Sequence, residues 1–352
     1  MKKLLILGVN GFIGHHLSEA VIRNTDWDVY GMDLECDRLA NLIGNPRFHF
    51  FEGDITINRE WMEYHIRKCD VLLPLVAIAT PATYISDPLR VFELDFEANL
   101  PLIRACVKHR KRVIFPSTSE IYGMCADTEF HPYESSLVLG PVPKSRWIYS
   151  CSKQLLDRVI WAYGAEQRLD FTLFRPFNWI GPGLDRMTTP KEGSSRVLTQ
   201  FLGNIVRGEN IQLVDGGTQR RCFTFISEGI DCLMRIIANP GGIASGKIYN
   251  VGNPHNDLSV RQLAELMLET ARAIEPYAET ARRVRLVEVS AEKYYGAGYQ
   301  DVRSRVPWIR NTSEELGWAP SIDMPTALRS IFDSYRANLP DARALVEAAE
   351  RP

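Results

Sequence analysis

The chain has 352 residues, 45% hydrophobic, 24% charged and 10% aromatic. These proportions belong to a folded globular protein with room for two cooperating lobes, and they exclude long disorder, collagen-like repeats and a disulfide scaffold. Lys and Arg number 41 against 43 Asp and Glu, a formal charge of −2 with no long basic run, so the footprint of a nucleic-acid binder is missing and an anionic ligand must be met by individually placed arginines.

Residues 3–8 are a near-continuous apolar run, the pattern of a parallel strand covered on both faces. Met1, Lys2 and Lys3 ahead of it imitate a signal peptide, but Gly8 ends the run far short of an h-region. No apolar stretch reaches bilayer-spanning length, so a cytoplasmic protein without membrane contact is expected. A helix pattern follows over about 12–24, then strands at 29–33, 48–54, 71–76, 112–116 and 170–175, with helices near 93–109 and 151–168. This alternation predicts an α/β fold with a Rossmann-like doubly wound parallel sheet. After Pro176 comes a turn-rich stretch over 181–195, then a helical run at 196–207, short strands at 212–214 and 221–226 and a helix at 227–239. A strand at 247–251 returns toward the main sheet, followed by a helix at 259–273, a strand at 284–289, a helix at 324–336 and a polar tail. The predicted division is a larger domain over 1–178, with a returning segment near 210–252, and a smaller discontinuous α/β lobe lying mainly in 179–352.

Gly8-Val9-Asn10-Gly11-Phe12-Ile13-Gly14 is G-x-x-G-x-x-G directly after the first strand and opening the first helix. Glycines there let a pyrophosphate approach backbone N–H groups at the positive end of a helix. Asp33 ends the second strand, where a carboxylate accepts hydrogen bonds from the adenosine ribose. The combination predicts a dinucleotide site, and because an acid at Asp33 repels a 2′-phosphate, NAD is favoured over NADP. Tyr149 and Lys153 stand at i, i+4, placing a phenol and an ammonium on one helix face. Such pairs also occur on solvated helices, but a cation beside the phenol suits it to take a substrate proton. Ser117, Thr118, Ser119 and Glu120 follow the fifth strand at the sheet's carboxyl edge, where open α/β sheets bind ligands.

Other residues invite plainer readings. Cys36, Cys69, Cys106, Cys125, Cys151, Cys222 and Cys232 contain no C-x-x-C pair, which suits a reducing compartment and gives no reason to expect a metal site. His15 and His16 diverge on a helix and read as packing or surface residues, and Trp179 and Trp318 as core. Arg196 and Arg221 are surface cations or phosphate clamps. From charge pattern alone, Arg303, Arg305 and Arg310 read as a solvated face.

Three longer strings carry a resemblance: Pro-Ser-Thr-Ser-Glu-Ile-Tyr-Gly-Met over 116–124, Arg-Pro-Phe-Asn-Trp-Ile-Gly-Pro over 175–182, and Gly-Tyr-Gln-Asp-Val-Arg-Ser-Arg-Val-Pro over 298–307, continued by Ile-Arg-Asn from 309 and Leu-Gly-Trp-Ala-Pro over 316–320. With the motifs above, they resemble the nucleotide-sugar branch of the extended short-chain dehydrogenase/reductase superfamily from residue 2 to about 335. Within that branch they are most similar to the UDP-glucuronic acid dehydrogenase/decarboxylase domain of the bifunctional aminoarabinose-pathway enzymes. Those enzymes carry a formyltransferase domain ahead of this region; here Met1 begins the first strand, so formyl transfer is not expected.

The resemblance implies that NAD is held by Gly8, Asn10, Gly11, Phe12, Ile13, Gly14, Asp33, Asp54, Ile55, Leu75, Ala77, Asn99, Tyr149 and Lys153. It implies that a UDP-sugar is held by Ala79, Tyr84, Thr118, Ser119, Arg146, Asn178, Arg196, the segment from Gln212 to Arg221, and Tyr299, with Glu120 as proton acceptor and Arg305 as proton donor. Members of this kind oxidise C4 of the sugar and lose C6 as CO₂. Tyr149, helped by Lys153, would deprotonate the C4 hydroxyl while Thr118 and Ser119 orient it. Glu120 would position the sugar or relay a proton, and Arg305 would serve C5 directly or, given the high pKa of a guanidinium, through water. Two products stay open, a UDP-4-keto-pentose with NADH, or UDP-xylose after hydride return. The alternatives are a UDP-sugar 4-epimerase or 4,6-dehydratase and, from another class, a silent NAD-binding sensor, against which Tyr149 and Lys153 both speak. A homodimer is implied by the superfamily.

Overall fold

The computed structural model describes residues 1–185, 196–295, 300 and 302–336. Most of the turn-rich stretch and Tyr299 lie outside the described residues. The first apolar run becomes β1 (Lys3–Leu7), followed by α1 (Phe12–Asn24), β2 (Asp28–Asp33), β3 (Phe48–Glu52), α2 (Arg59–Lys68) and β4 (Val71–Pro74). Leu4, Leu5, Ile6 and Leu7 are all 0% exposed, as both faces of the strand are covered. Leu4 and Ile6 join the core under α1 and α8, whereas Leu5 and Leu7 join the core under α2, α5 and α6, the alternation a strand imposes. Those helices are α5 (Leu100–His109) and α6 (Trp147–Gln167) on one face and α8 (Ile226–Ala238) beside α1 on the other.

The main sheet is completed by β5 (Arg112–Pro116), β6 (Phe171–Pro176) and β11 (Lys247–Val251), in the order β11-β6-β5-β4-β1-β2-β3, all neighbours parallel. The chain runs outward from β1 through β2 to β3, then crosses back to β4 on the other side of β1. That reversal is the topological switch point, and it opens a crevice beyond the carboxyl ends of β1 and β4.

Between β6 and the returning β11, and again after it, the chain builds a second core. Its short strands β7 (Trp179–Ile180), β8 (Ile211–Val214), β9 (Arg220–Cys222), β10 (Thr224–Phe225), β12 (Asp257–Ser259) and β13 (Leu286–Val289) pair as β7 with β10, β9 with β12 and β8 with β13. Around them α7 (Val197–Arg207), α9 (Val260–Arg272), α10 (Ala278–Arg283) and α13 (Met324–Tyr335) bury an apolar cluster centred on Leu202, Leu263, Met267 and Phe332. A capping box starts α9: the Ser259 hydroxyl accepts from the Gln262 amide and the Gln262 carboxamide accepts from the Ser259 amide. The helices α11 (Ala291–Tyr295) and α12 (Arg310–Leu316) complete the described elements. Among the described residues no helix is long and apolar enough to cross a membrane, and all seven cysteines are free thiols. Trp179 and Trp318, at 6% and 1% exposure, are core.

Two expectations are corrected. The helix expected near 93–109 is instead a π turn over Glu93–Glu97 and a separate α5; Pro101 sits in the first turn of α5, where its missing N–H breaks no helical bond. The strand expected over 221–226 splits into β9 and β10, because the Phe223 amide bonds the Asn256 carbonyl rather than a ladder partner. The sequence pattern also passes over α2, α3 (Pro81–Ser86), α4 (Pro88–Phe92), α10, α11 and α12. In α2 only Met62 and Ile66 are buried, within an otherwise polar segment.

The turn that leads into the crevice is sterically tight. A Cβ on Gly14 would stand 2.4 Å from the Gly8 carbonyl oxygen and 2.7 Å from that of Val9. Gly14→Ala is therefore expected to push α1 off β1 and cost about 1–3 kcal/mol, read as a lower urea midpoint. An unchanged midpoint would mean that the turn has room for a Cβ after all.

Candidate active site

The crevice at the switch point is a cavity of about 450 Å³, within the usual range for small-molecule sites. Its floor is the glycine turn: Gly8 at φ +85° donates its amide to the Met32 carbonyl at 2.8 Å, and Gly11 donates to the Gly8 carbonyl at 3.1 Å. Gly8, Gly11, Phe12, Ile13, Gly14, Leu75 and Ala77 line it. Asp33 accepts from the Asn10 and Leu34 amides, each at 2.8 Å, and burial raises its carboxyl above the ordinary value against the pull of those amides. The Asn10 side chain closes the loop by donating to Asp37 at 2.7 Å and accepting from the Arg38 amide at 2.9 Å.

These residues fit NAD. The first turn of α1 offers backbone N–H groups to a pyrophosphate, a Cβ at Gly8 would close to 3.0 Å on the Val76 amide nitrogen, and Asp33 stands at the end of β2. Asn10, Asp33, Asp54, Ile55 and Asn99 are not among the residues that line the cavity. The Asp54 carboxylate is capped by the Thr56 amide and hydroxyl at 2.7 and 2.8 Å, which lower its pKa, and Ile55 is 6% exposed. Asn99, fully buried, donates to the Leu94 carbonyl at 2.9 Å.

At the other end, the first turn of α6 and the 3-10 turn after β5 bring Tyr149, Lys153, Thr118, Ser119 and Glu120 into the same cavity. The Tyr149 ring stacks on Tyr84 with centroids 4.7 Å apart and planes 6° from parallel. Burial, with Asp95 and then Glu120 adding to it, holds the Tyr149 phenol above its ordinary pKa, against a hydrogen bond with Thr118. Lys153, 1% exposed, donates to the Pro116 carbonyl at 3.2 Å; burial lowers its pKa, opposed by Asp95 and Asp157.

Glu120 is the most strongly held group. Its carboxylate meets Arg146 at 2.6 Å and Arg305 at 2.5 Å, and Arg305 also reaches the Ser119 hydroxyl at 3.4 Å. Burial alone would raise its pKa, but Arg305, Arg146 and Arg221 bring it down to about 2. A carboxyl so acidic is a poor proton acceptor at neutral pH, so this geometry suits Glu120 to positioning. Arg305 is 3% exposed; the solvated face read from its neighbours' charges does not hold for it.

The remaining candidates divide. Ala79, Asn178, Arg196 and Arg221 line the cavity with Arg146 and Tyr84. Asn178, at φ +39°, donates to the Cys222 carbonyl at 3.1 Å, and Arg196 pairs with Asp185 at 3.4 Å. Arg221 donates to the Arg220 and Val302 carbonyls, each at 2.7 Å. Gln212 is exposed on β8 and is not among the lining residues. His15 and His16 bond the Gly11 and Pro182 carbonyls. Within the segment 212–221 that the resemblance assigns to the sugar nucleotide, Gln219 and Arg221 line the cavity; sequence reasoning passed over Gln200, Phe223 and Val260, which also line it, and Asp95 behind Lys153. The one available signal for Asp95 was its spacing of four from Val91 and Asn99.

Because the Glu120 carboxyl is more acidic folded than unfolded, its contribution to stability is complete above the ordinary carboxylate value of 4.5 and is lost as the pH falls toward about 2. Glu120→Gln removes the carboxylate with which the buried Arg146 and Arg305 pair, so a loss of about 3–5 kcal/mol is expected at pH 7. Thermal unfolding should show the gap to the parent closing below pH 4.5; a gap that persists unchanged to pH 3 would contradict the clamp.

Residues 4–252 match the NAD dependent epimerase/dehydratase family. The chain is 63% identical to the PbgP3 protein from Burkholderia pseudomallei over 98% of its own length and 99% of that chain, with a TM-score of 0.88. It shares its fold with UDP-glucose 4-epimerase from Thermotoga maritima, solved with UDP-glucose, at 21% identity, coverage of 96% and 99%, and a TM-score of 0.78. It shares the fold equally with the dTDP-glucose 4,6-dehydratase DesIV from Streptomyces venezuelae, solved with NAD and TYD bound, at 22% identity, coverage of 97% and 99%, and a TM-score of 0.79. With the glycine turn, the acid at the end of β2 and the tyrosine–lysine pair in one crevice, the chain belongs to the NAD dependent epimerase/dehydratase family and uses NAD as its cofactor.

Proposed function

We propose that the protein is a UDP-glucuronic acid decarboxylase that oxidises the sugar at C4, releases C6 as CO₂ and yields a UDP-4-keto-pentose, or UDP-xylose where the hydride returns. The observation that supports this reading is the gathering of guanidiniums at the reacting end: Arg146 and Arg305 pair with the Glu120 carboxylate, Arg221 acts on it from the same cavity, and Arg196 also lines that cavity. A neutral hexose has no use for so many guanidiniums beside its reacting carbon. A substrate with both a carboxylate and a diphosphate does.

NAD, when bound, supplies the hydride acceptor for C4 and a positive charge in the cleft. Tyr149 starts protonated because it is buried, and Lys153 favours its ionised form, which takes the proton from the C4 hydroxyl. Thr118 and Ser119, at 7% and 3% exposure, orient that hydroxyl. Once C4 is a ketone the substrate is a β-keto acid. The C5–C6 bond breaks, its electron pair passes to the C4 oxygen as an enolate, and CO₂ leaves. The Thr118 and Ser119 hydroxyls, which line the cavity, would donate to that oxygen and stabilise the charge. Arg305, pinned by Glu120 and Ser119, meets the C6 carboxylate before cleavage and then serves protonation at C5, directly or through water. Residues 1–178 with β11 hold NAD, and the remainder mainly holds the UDP-sugar. The superfamily resemblance adds a homodimer, which light scattering would overturn by finding a strict monomer at micromolar concentration.

The test is to mix the protein with UDP-glucuronate and NAD⁺ and follow NADH absorbance, CO₂ and the sugar's NMR spectrum together. CO₂ with equal NADH supports the keto-pentose, and CO₂ without net NADH supports UDP-xylose. A 4-epimer or a 4-keto-6-deoxy sugar without CO₂ overturns the reading. Tyr149→Phe should lower kcat by about 10²- to 10⁴-fold with NAD still bound; near-parental turnover would remove Tyr149 from the chemistry.

A further inference from the structure

Behind the cavity wall lies an ion pair that the steps above do not use. Asp95 is 0% exposed, on the π turn between α4 and α5, and its Oδ1 stands 3.7 Å from Lys153 Nζ. Its Oδ2 accepts from the Ile78 amide at 3.1 Å, next to Ala79 of the cavity lining. Oδ1 has no hydrogen-bond partner among the described residues. A fully buried carboxylate oxygen left in that state is costly, and the one cation it faces is Lys153.

The other charged group near Lys153 is already engaged. Asp157, one turn along α6, accepts from the Ser117 hydroxyl at 2.7 Å and pairs with Arg175 at 3.3 Å. Tyr149 lies one turn the other way on α6, and Tyr84 stacks on Tyr149 from α3. The backbone is built for the Asp95 contact. Val91, Asp95 and Asn99 are each 0% exposed at intervals of four, a spacing that puts them on one buried side of the segment, and the α4–π-turn stretch packs on α6.

We propose that Asp95 is a positioning residue, the counter-charge that keeps the Lys153 ammonium protonated and held beneath Tyr149. A lysine buried alone sheds its proton near neutrality. Burial also pushes the Asp95 carboxyl up to about 6, against Lys153 and the Ile78 amide, so below that pH the pair loses its anion and turnover falls with it. Only the kinetic arm of the test rests on the decarboxylase reading.

The decisive comparison is the parent against Asp95→Asn, which keeps the shape and removes the charge. With ¹⁵N-lysine labelling, and Lys153→Met to assign the resonance, the parental Lys153 nitrogen should stay protonated to higher pH than in Asp95→Asn by at least about one unit. In UDP-glucuronate turnover, kcat should fall about 10- to 100-fold and lose its acid limb near pH 6. KM and NAD affinity should move less than about threefold, and Asp95→Glu should recover part of kcat. An unmoved Lys153 titration overturns the proposal, as does a loss of kcat matched by loss of NAD affinity at an unmoved pH profile. If Asp95→Asn does not fold, the parental Asp95 carboxyl carbon and Lys153 nitrogen are titrated together; a shared inflection supports the pair and independent inflections overturn it. A parent that binds NAD and shows the coupled titration but releases no CO₂ would sink the decarboxylase reading and leave Asp95 in place.

Discussion

A carboxylate gripped by two guanidiniums in a place with little water is the constraint on which the reacting end depends. Glu120 rides on the 3-10 turn after β5, Arg146 precedes α6, and Arg305 comes from a segment more than 180 residues later in the chain. None of the three is stable buried alone, since an unpaired ion away from water costs several kcal/mol. The sheet edge, the helix bearing Tyr149 and the late segment must therefore close on one another together. Backbone ties hold that closure: Phe130 donates its amide to Val306 at 2.8 Å, Trp308 donates to Phe130 at 3.1 Å, and the Asn250 carboxamide donates to the Phe130 and Trp308 carbonyls at 2.6 and 3.1 Å.

Beneath the clamp a second buried polar chain fixes α6 to the sheet. The Ser117 hydroxyl donates to Asp157, Arg175 pairs with Asp157 at 3.3 Å and donates to the Tyr122 hydroxyl at 2.8 Å, and Tyr122 donates to Asn250 at 2.8 Å. Asp157 lies one turn beyond Lys153, so the element that presents Tyr149 is registered against β5, β6 and β11 by directional bonds. Apolar packing alone tolerates small slides, whereas a buried network that loses one partner leaves the others unsatisfied. Positional accuracy of this kind is what a proton transfer over hydrogen-bond distance requires.

Local signals account for what the sequence revealed. The glycine turn, Asp33 at the end of β2 and the strand alternation are all short-range patterns, and they place the switch point and one half of the crevice. The tyrosine–lysine spacing survives because α6 starts at Trp147, earlier than its apolar pattern suggests. Arg305 was legible only through resemblance: its charge pattern speaks for a solvated face, and its partners Glu120 and Ser119 lie far back in the chain. Asp95 was illegible for a related reason. A π turn has no strong sequence mark, and an acid among Glu93, Glu97 and apolar neighbours looks like one more surface charge. Gln212 shows the converse, since a position carried over by resemblance falls on the exposed side of β8.

The two clusters use charge in opposite ways. Lys153 and Asp95 face each other at 3.7 Å behind Tyr149, where burial holds the phenol protonated. The Glu120 cluster instead gathers guanidiniums: Arg146 and Arg305 pair with its carboxylate, and Arg221 acts on it across the same cavity. A low-dielectric wall strengthens both effects. In the proposed mechanism an anionic substrate meets the guanidiniums on one side of Tyr149, while burial keeps the phenol protonated beside Lys153 on the other. Under that proposal, binding and base activation are separated in space by a few side chains on either side of one tyrosine.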